Sequence, residues 1–342
     1  MTQAIAVTLL TGFLGAGKTT LLNHFLRHHQ GAPVAILENE FGAASIDGAL
    51  LERGDGVSVV ELSNGCVCCS VRGEFAAALE VLLDRRARGE LAFERLIVET
   101  TGLADPGPII QTFFVEERLR DALRLDAVIT LADCQHIARQ LDEHPVAAAQ
   151  LGFADRILLS KCDQVDDAIR DAAIARIHRI NHKAGILDVQ QGVCPPSLWL
   201  DLDAFTLSDE LPLSQGVRIV RAGASVFAPL SGQVRSWHDT IEAHLLEGGV
   251  LDLKRIGAFM EQCIEHYGND MLRYKGVLAI AGEPRRLIVQ GIHKVVGFDY
   301  GSPWEETEPV SRLVIIGRYL PIDALRQEFA AAQDAMAEPS PA

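Results

Sequence analysis

The sequence predicts a doubly wound α/β domain followed by a smaller α+β domain. Three observations carry this expectation. Short runs rich in Ile, Val and Leu alternate with amphipathic stretches from residue 4 to about 190. That alternation suits strands buried on both faces of a mostly parallel sheet, with helices between them. Over residues 194–216 the texture changes, with Pro195, Pro196 and Pro212, mixed polarity and no clear period. Beyond that stretch strand-like runs dominate and helical ones are few. The expected organisation is therefore a first domain at 1–193, a linker at 194–216, an α+β domain at 217–337 and a frayed tail at 338–342.

The elements follow in chain order. Ile5–Leu10 is a β-rich run, and Lys18–His29 places Leu21, Leu22, Phe25 and Leu26 at helical spacing. Val34–Leu37, Val57–Leu62, Leu96–Val98, Ala127–Leu131 and Ile157–Leu159 are compact enough to be central strands. Glu74–Arg88 reads as a helix with Phe75, Leu79, Leu82 and Leu83 inward and Gly89 as its stop. In the second half, Val217–Arg221, Met271–Ile280, Leu287–Gln290 and Leu313–Ile316 read as strands, and 252–267 and 323–336 as helices. Gly282, Glu283 and Pro284 suit a hairpin turn between two of those strands.

Composition excludes several function classes. The chain of 342 residues carries 31 basic and 46 acidic side chains, a formal charge of −15. Such a surplus repels phosphate backbones and anionic lipid, so neither a nucleic acid nor a membrane is an expected partner. The apolar N-terminal stretch lacks the basic start of a signal peptide and runs straight into a lysine motif. Seven cysteines, an odd number in a chain too long to need disulfide staples, suggest a reduced, cytoplasmic setting.

Four motifs carry chemistry, each at the end of an expected strand, where doubly wound sheets bind ligands. The first is Gly12, Phe13, Leu14, Gly15, Ala16, Gly17, Lys18, Thr19, continued by Thr20, which fits G-x-x-x-x-G-K-[ST] between a strand and a helix. Its glycines let successive N–H groups surround phosphate oxygens, the helix N-terminus adds positive potential, Lys18 reaches the β- and γ-phosphates, and the Thr19 hydroxyl serves Mg²⁺. The second is Glu99 in ETTG, where a carboxylate can orient a water beside the terminal phosphate and Gly102 lets a backbone N–H approach it. The third is Ser160, Lys161, Cys162, Asp163. A carboxylate at Asp163 can accept two hydrogen bonds from guanine, whereas adenine would set an acceptor against it, so GTP is favoured over ATP.

The fourth motif is GCVCCS, with Cys66, Cys68 and Cys69 in a turn before a helix starting near Arg72. Thiolates bind borderline-soft ions such as Zn²⁺ or Co²⁺, and three of them in four residues need a further ligand from elsewhere. Glu38 and Glu40 in ENEFG are the candidates. A redox thiol pair and plain buried cysteines are the alternatives. Cys134, Cys162, Cys194 and Cys263 stand singly and read as packing residues. Asp47 is a further acidic residue that could face Mg²⁺.

Together GFLGAGKTT, ENEFG, GCVCCS, ETTG and SKCD closely resemble the CobW-type P-loop GTPases, a metallochaperone and zinc-transfer family, in its short bacterial subgroup without a His-rich insert. DPGPIIQTFF, LRYKG, GEPRRL and the Pro303-Trp304 pair resemble the same family's segments, so the likeness spans about residues 4–325. It implies a P-loop NTPase fold, slow GTP hydrolysis to GDP and phosphate, and Zn²⁺ or Co²⁺ delivery to a client metalloprotein coupled to nucleotide state. It further implies that Glu38, Cys66, Cys68 and Cys69 ligate the metal, that Lys18, Thr19 and Glu99 serve GTP and Mg²⁺, and that Lys161 and Asp163 hold the base. Two positions depart from the pattern: Ala43 replaces an acidic residue that can join a surface metal site, and Ser160 stands where Asn or Thr is usual. A homo-oligomer stays open, and a GTP-dependent regulatory or scaffolding switch with a structural zinc clip is the competing function.

Overall fold

The computed structural model describes residues 4–39, 57–61, 71–205, 241–304 and 308–333. The first domain is a seven-stranded sheet in the order β3-β2-β4-β1-β5-β6-β7. Its strands are β1 (Ile5–Gly12), β2 (Val34–Asn39), β3 (Val57–Glu61), β4 (Arg95–Thr100), β5 (Leu123–Asp133), β6 (Arg156–Ser160) and β7 (Gly185–Val189). All neighbouring pairs run parallel. The strand order reverses beside β1, and the loops that follow β1, β4 and β6 therefore open on one crevice.

Both faces of such a sheet must be covered. One face packs Val7, Leu9, Leu37, Leu96, Val98, Ile157 and Leu159 against α2 (Val71–Ala87), α3 (Gly107–Val115), α4 (Glu117–Ala122), α5 (Ile137–Glu143), α6 (Pro145–Phe153) and α7 (Asp167–Ile180). The other face packs Leu10, Ile36, Ile97, Ile129 and Leu158 against α1 (Lys18–His28) and the stretch Cys194–Leu200. Trp199 is fully buried there, edge-on to Phe25 at 5.4 Å. The start of the expected linker thus supplies core. The reason is Asp126, which is wholly buried on β5 and accepts the N–H groups of Asp201 and Asp203 at 2.9 and 2.8 Å. A buried carboxylate needs such donors, and backbone amides of this segment provide them.

The second domain is a five-stranded antiparallel sheet in the order β11-β10-β9-β12-β8. Its elements are β8 (Ile241–Gly248), α8 (Leu253–Tyr267), β9 (Met271–Leu278), β10 (Arg285–Ile292), β11 (Val295–Pro303), β12 (Ser311–Arg318) and α9 (Ile322–Ala331). Asp252 caps α8 by accepting the Arg255 N–H at 2.9 Å. The β9–β10 turn falls at Gly282, with φ +78°, as the sequence predicts. One sheet face buries Leu246, Tyr274, Val289, Leu313 and Ile315 under α8 and α9. From the other, Ile241, Leu272, Ile292 and Ile316 join the core of the first domain.

Ile241, Ile316 and Leu272 pack over Gly152 on α6, 3.5–3.6 Å from where a Cβ would sit, which is ordinary van der Waals contact. Beside it, Arg273 pairs with Asp155 at 2.5 Å, both side chains being about nine-tenths buried. Strands β7, β8 and β11 escape the sequence reading. The expected strand at 217–221 lies outside the described residues, as does the tail. No described helix is long and apolar enough to cross a membrane.

Candidate functional site

The site grows from the tip of β1. Gly12 has φ +141°, and a Cβ there would meet the Leu131 carbonyl oxygen at 2.4 Å, so only glycine fits. Gly15 and Gly17 also take left-handed conformations, at +73° and +101°, and Gly17 leads directly into α1. The loop curls back on itself, Ala16 N–H bonding the Phe13 carbonyl at 3.2 Å. Lys18 is buried and donates from Nζ to the Gly12 carbonyl at 2.9 Å, which folds the ammonium over the mouth of the loop. Thr19 and Thr20 follow on the first turn of α1, which has no acidic residue to compete for an anion. This is a cradle that suits a polyphosphate.

Two neighbouring strand tips, those of β2 and β4, bring buried carboxylates beside it. Glu99 on β4 lies in register with Leu10 of β1 and with Glu38 of β2, and Glu38 lies in register with Glu61 of β3. Residues in register on adjacent parallel strands share a face, so Glu38 and Glu99 stand side by side, and both are buried. Adjacent carboxylates repel unless positive charge accompanies them, the electrostatic setting that a bound cation exploits. The position of Glu61 in this row is not apparent from the sequence, because only the pairing register reveals it. Beyond Glu99, Thr100 donates its hydroxyl to Thr11 Oγ1 at 2.8 Å, tying the two strand tips together. A Cβ at Gly102 would come within 2.5 Å of the Leu14 N, so the ETTG loop presses directly on the phosphate loop.

The loop of residues 160–163 is joined to the same cradle. Ser160 Oγ donates to the Ala16 carbonyl at 2.7 Å, so the shorter hydroxyl at this position does support the loop. Lys161 adopts φ +59°, with Nζ 2.7 Å from Asp133 Oδ2, and Asp163 is exposed on the 3-10 turn Cys162–Gln164. Asp133 also takes the Gln135 N–H and meets His136 Nδ1, each at 2.9 Å. Burial works against its charge, yet the hydrogen bonds from Lys161 and His136 outweigh this and hold the carboxyl below its ordinary value. Asp133 lies outside the sequence motifs, yet it is bonded to Lys161 of one of them. Its signal is its place at the tip of β5, immediately before the loop Cys134–His136.

Cys66, Cys68, Cys69, Glu40 and Asp47 lie outside the described residues. Among the described residues no group of three or more His, Cys, Asp and Glu side chains is placed to hold a metal ion. The other cysteines behave as packing groups. Cys134, Cys194 and Cys263 are buried, and burial pushes the Cys162 and Cys263 thiols up to about 12, away from the reactive thiolate form.

A glycine cradle opening a helix at the reversal of a parallel sheet, with a K-x-D loop bonded to it, defines a P-loop nucleotide-binding protein. More narrowly, the chain belongs to the CobW family. Residues 6–188 match the CobW/HypB/UreG nucleotide-binding domain, and residues 244–333 match the cobalamin synthesis protein cobW C-terminal domain. It is 39% identical over 328 residues to the zinc chaperone YjiA of Escherichia coli strain K12, covering 95% of this chain and 98% of that relative. It is 33% identical over 365 residues to the zinc chaperone CobW of Pseudomonas aeruginosa, covering 95% and 90% respectively. The crystal structure of the Zn(II)-bound YjiA GTPase from E. coli aligns with a TM-score of 0.77 at 34% identity, over 97% of this chain and all of that one.

Proposed function

We propose that this chain is a cytoplasmic GTPase that hydrolyses GTP slowly to GDP and phosphate and couples its nucleotide state to zinc transfer to a client metalloprotein. The observation that carries the nucleotide half is the 2.7 Å bond from Ser160 to Ala16, which joins a K-x-D loop to a phosphate cradle. The zinc half draws on the relatives named zinc chaperones and on the thiolate-rich C-x-C-C segment.

In this reading the N–H groups of Gly12–Thr19 and the Lys18 ammonium hold the phosphates, and Glu99 orients the attacking water. Thr19, with Asp47 as a candidate, would hold Mg²⁺, which supplies charge neutralisation at the β- and γ-phosphates. Gly102 offers its N–H to the terminal phosphate, and Lys161 and Asp163 take the guanine. Zinc, or cobalt as a second cargo, would be held by Cys66, Cys68 and Cys69 with Glu38 and Glu40 as carboxylate candidates. The chemistry of that donor set fits a borderline-soft ion. The second domain, which carries no motif of its own, would present the client-facing surface. Phosphate release from GTP and from ATP tests the assignment. Wild type should prefer GTP, Lys18→Ala should lose turnover, and Asp163→Asn should lose the preference for GTP; equal turnover of ATP by wild type would reverse the base assignment.

A further inference from the structure

Gln150 sits in the middle of α6, where every residue from Ala147 to Phe153 is buried, and it is 1% exposed. A primary amide in such a helix is costly unless its hydrogens are used. They are used on one target: Nε2 donates to the Gly102 carbonyl at 3.2 Å and to the Ala104 carbonyl at 3.1 Å. Only the NH₂ end of an amide can face two carbonyls, so its orientation is determined. The loop it grips is closed by Ala104 N–H to Thr101 O at 3.1 Å and abuts the Leu14 backbone on its far side. The helix carrying the amide is itself held from three directions. Thr130 Oγ1 donates to the Gln150 carbonyl at 2.8 Å, His144 stacks on Phe13 of the phosphate loop at 4.7 Å, and Arg273 Nη1 donates to the Phe153 carbonyl at 3.1 Å.

We infer that Gln150 is a positioning residue for GTP hydrolysis: its amide fixes the Gly102–Ala104 loop so that the Gly102 N–H faces the terminal phosphate. This rests on the GTPase reading above. Gln150 touches no phosphate in this arrangement. It acts through the loop, and so its effect is confined to the nucleotide that has a third phosphate. GDP binding, which depends on the Gly12–Thr19 cradle and the base loop, does not use it.

Affinities for GDP and for the slowly hydrolysed analogue GTPγS, with Mg²⁺, test this in the full chain alongside single-turnover GTP hydrolysis. Gln150→Met keeps the volume and removes both donors. It should weaken GTPγS binding and slow hydrolysis about tenfold, the scale of two lost hydrogen bonds, with GDP affinity within about twofold. Gln150→Glu, which sets an acceptor against two carbonyls, should do the same or more. Equal losses for GDP and GTPγS, or no change in either variant, would overturn the role. Hydrogen exchange of the Thr101–Ala104 amides in the wild type supplies a check that needs no substitution. Stronger protection with GTPγS than with GDP supports the role and equal protection contradicts it. A wild type that binds GDP but not GTPγS would overturn the GTPase reading itself, an outcome distinct from any variant effect.

Discussion

Removing Arg273 should loosen the junction of the two domains. Its guanidinium is about nine-tenths buried, pairs with Asp155 at 2.5 Å, donates to the Phe153 carbonyl at 3.1 Å and lies 4.7 Å from the Phe205 ring centroid. Arg273→Met leaves Asp155 as a buried charge without its cation, a loss of about 3–5 kcal/mol. The orphaned carbonyl and the lost ring contact add about 1 kcal/mol each. Two effects offset this. Asp155 keeps the Val128 N–H at 2.9 Å, and Lys183 and Lys275 lose a repelling neighbour. Against a gross loss of roughly 5–7 kcal/mol, these offsets and the packing kept by the methionine stem bring the expected net to roughly 3 kcal/mol. Calorimetry of the full chain should show the affected transition lowered by roughly 6–12 °C, at ~2–4 °C per kcal/mol. Adding Asp155→Asn should recover part of the loss by removing the stranded charge. An Arg273→Met protein within ~0.5 kcal/mol of wild type would refute the argument.

Two other outcomes follow from the same geometry. Burial, with Arg273 and Lys275 nearby, pushes Lys183 down to about 7 from 10.5, and its Nζ has no hydrogen-bond partner among the described residues. The unfolded chain therefore binds the extra proton between pH 7 and 10.5, so stability rises with pH across that window by up to ~1.4 kcal/mol per unit. Lys183→Met should flatten that rise and stabilise the protein at pH 6, as read by urea titration; an unchanged slope would count against a buried, uncompensated ammonium. Gly102→Ala places a methyl 2.5 Å from the Leu14 N and must displace one loop from the other. GTPγS affinity should fall at least tenfold, the cost of about 1.4 kcal/mol or more of backbone strain. Wild-type affinity would mean the two loops do not need this contact.

Legibility from the sequence tracked locality. The phosphate cradle, ETTG and SKCD are contiguous, and each was readable because its chemistry depends on residues a few positions apart at a strand tip. Central strands such as Leu96–Val98 announced themselves through uninterrupted apolar runs. The edge strands did not: Gly185–Val189 has a polar residue at Asp188, and Val295–Pro303 is largely exposed, so neither carries the pattern of a buried strand. The role of Trp199 in the first core was hidden because it depends on Asp126, 73 positions earlier, holding the chain that follows it. Asp133, Gln150 and the Glu61–Glu38–Glu99 row are all products of strand register or helix docking. Nothing local distinguishes a buried Gln in VAAAQLGF from a surface one.

In the proposed function, nucleotide state and metal affinity are coupled in one chain. Zinc affinity measured by competition with a chromophoric chelator, in the full-length protein with Mg²⁺ and either GDP or GTPγS, tests it most directly. Coupling predicts affinities that differ by tenfold or more, about 1.4 kcal/mol, and loss of that difference in Cys68→Ser. Identical zinc affinity in the two nucleotide states would contradict it and leave the cysteines as a structural clip.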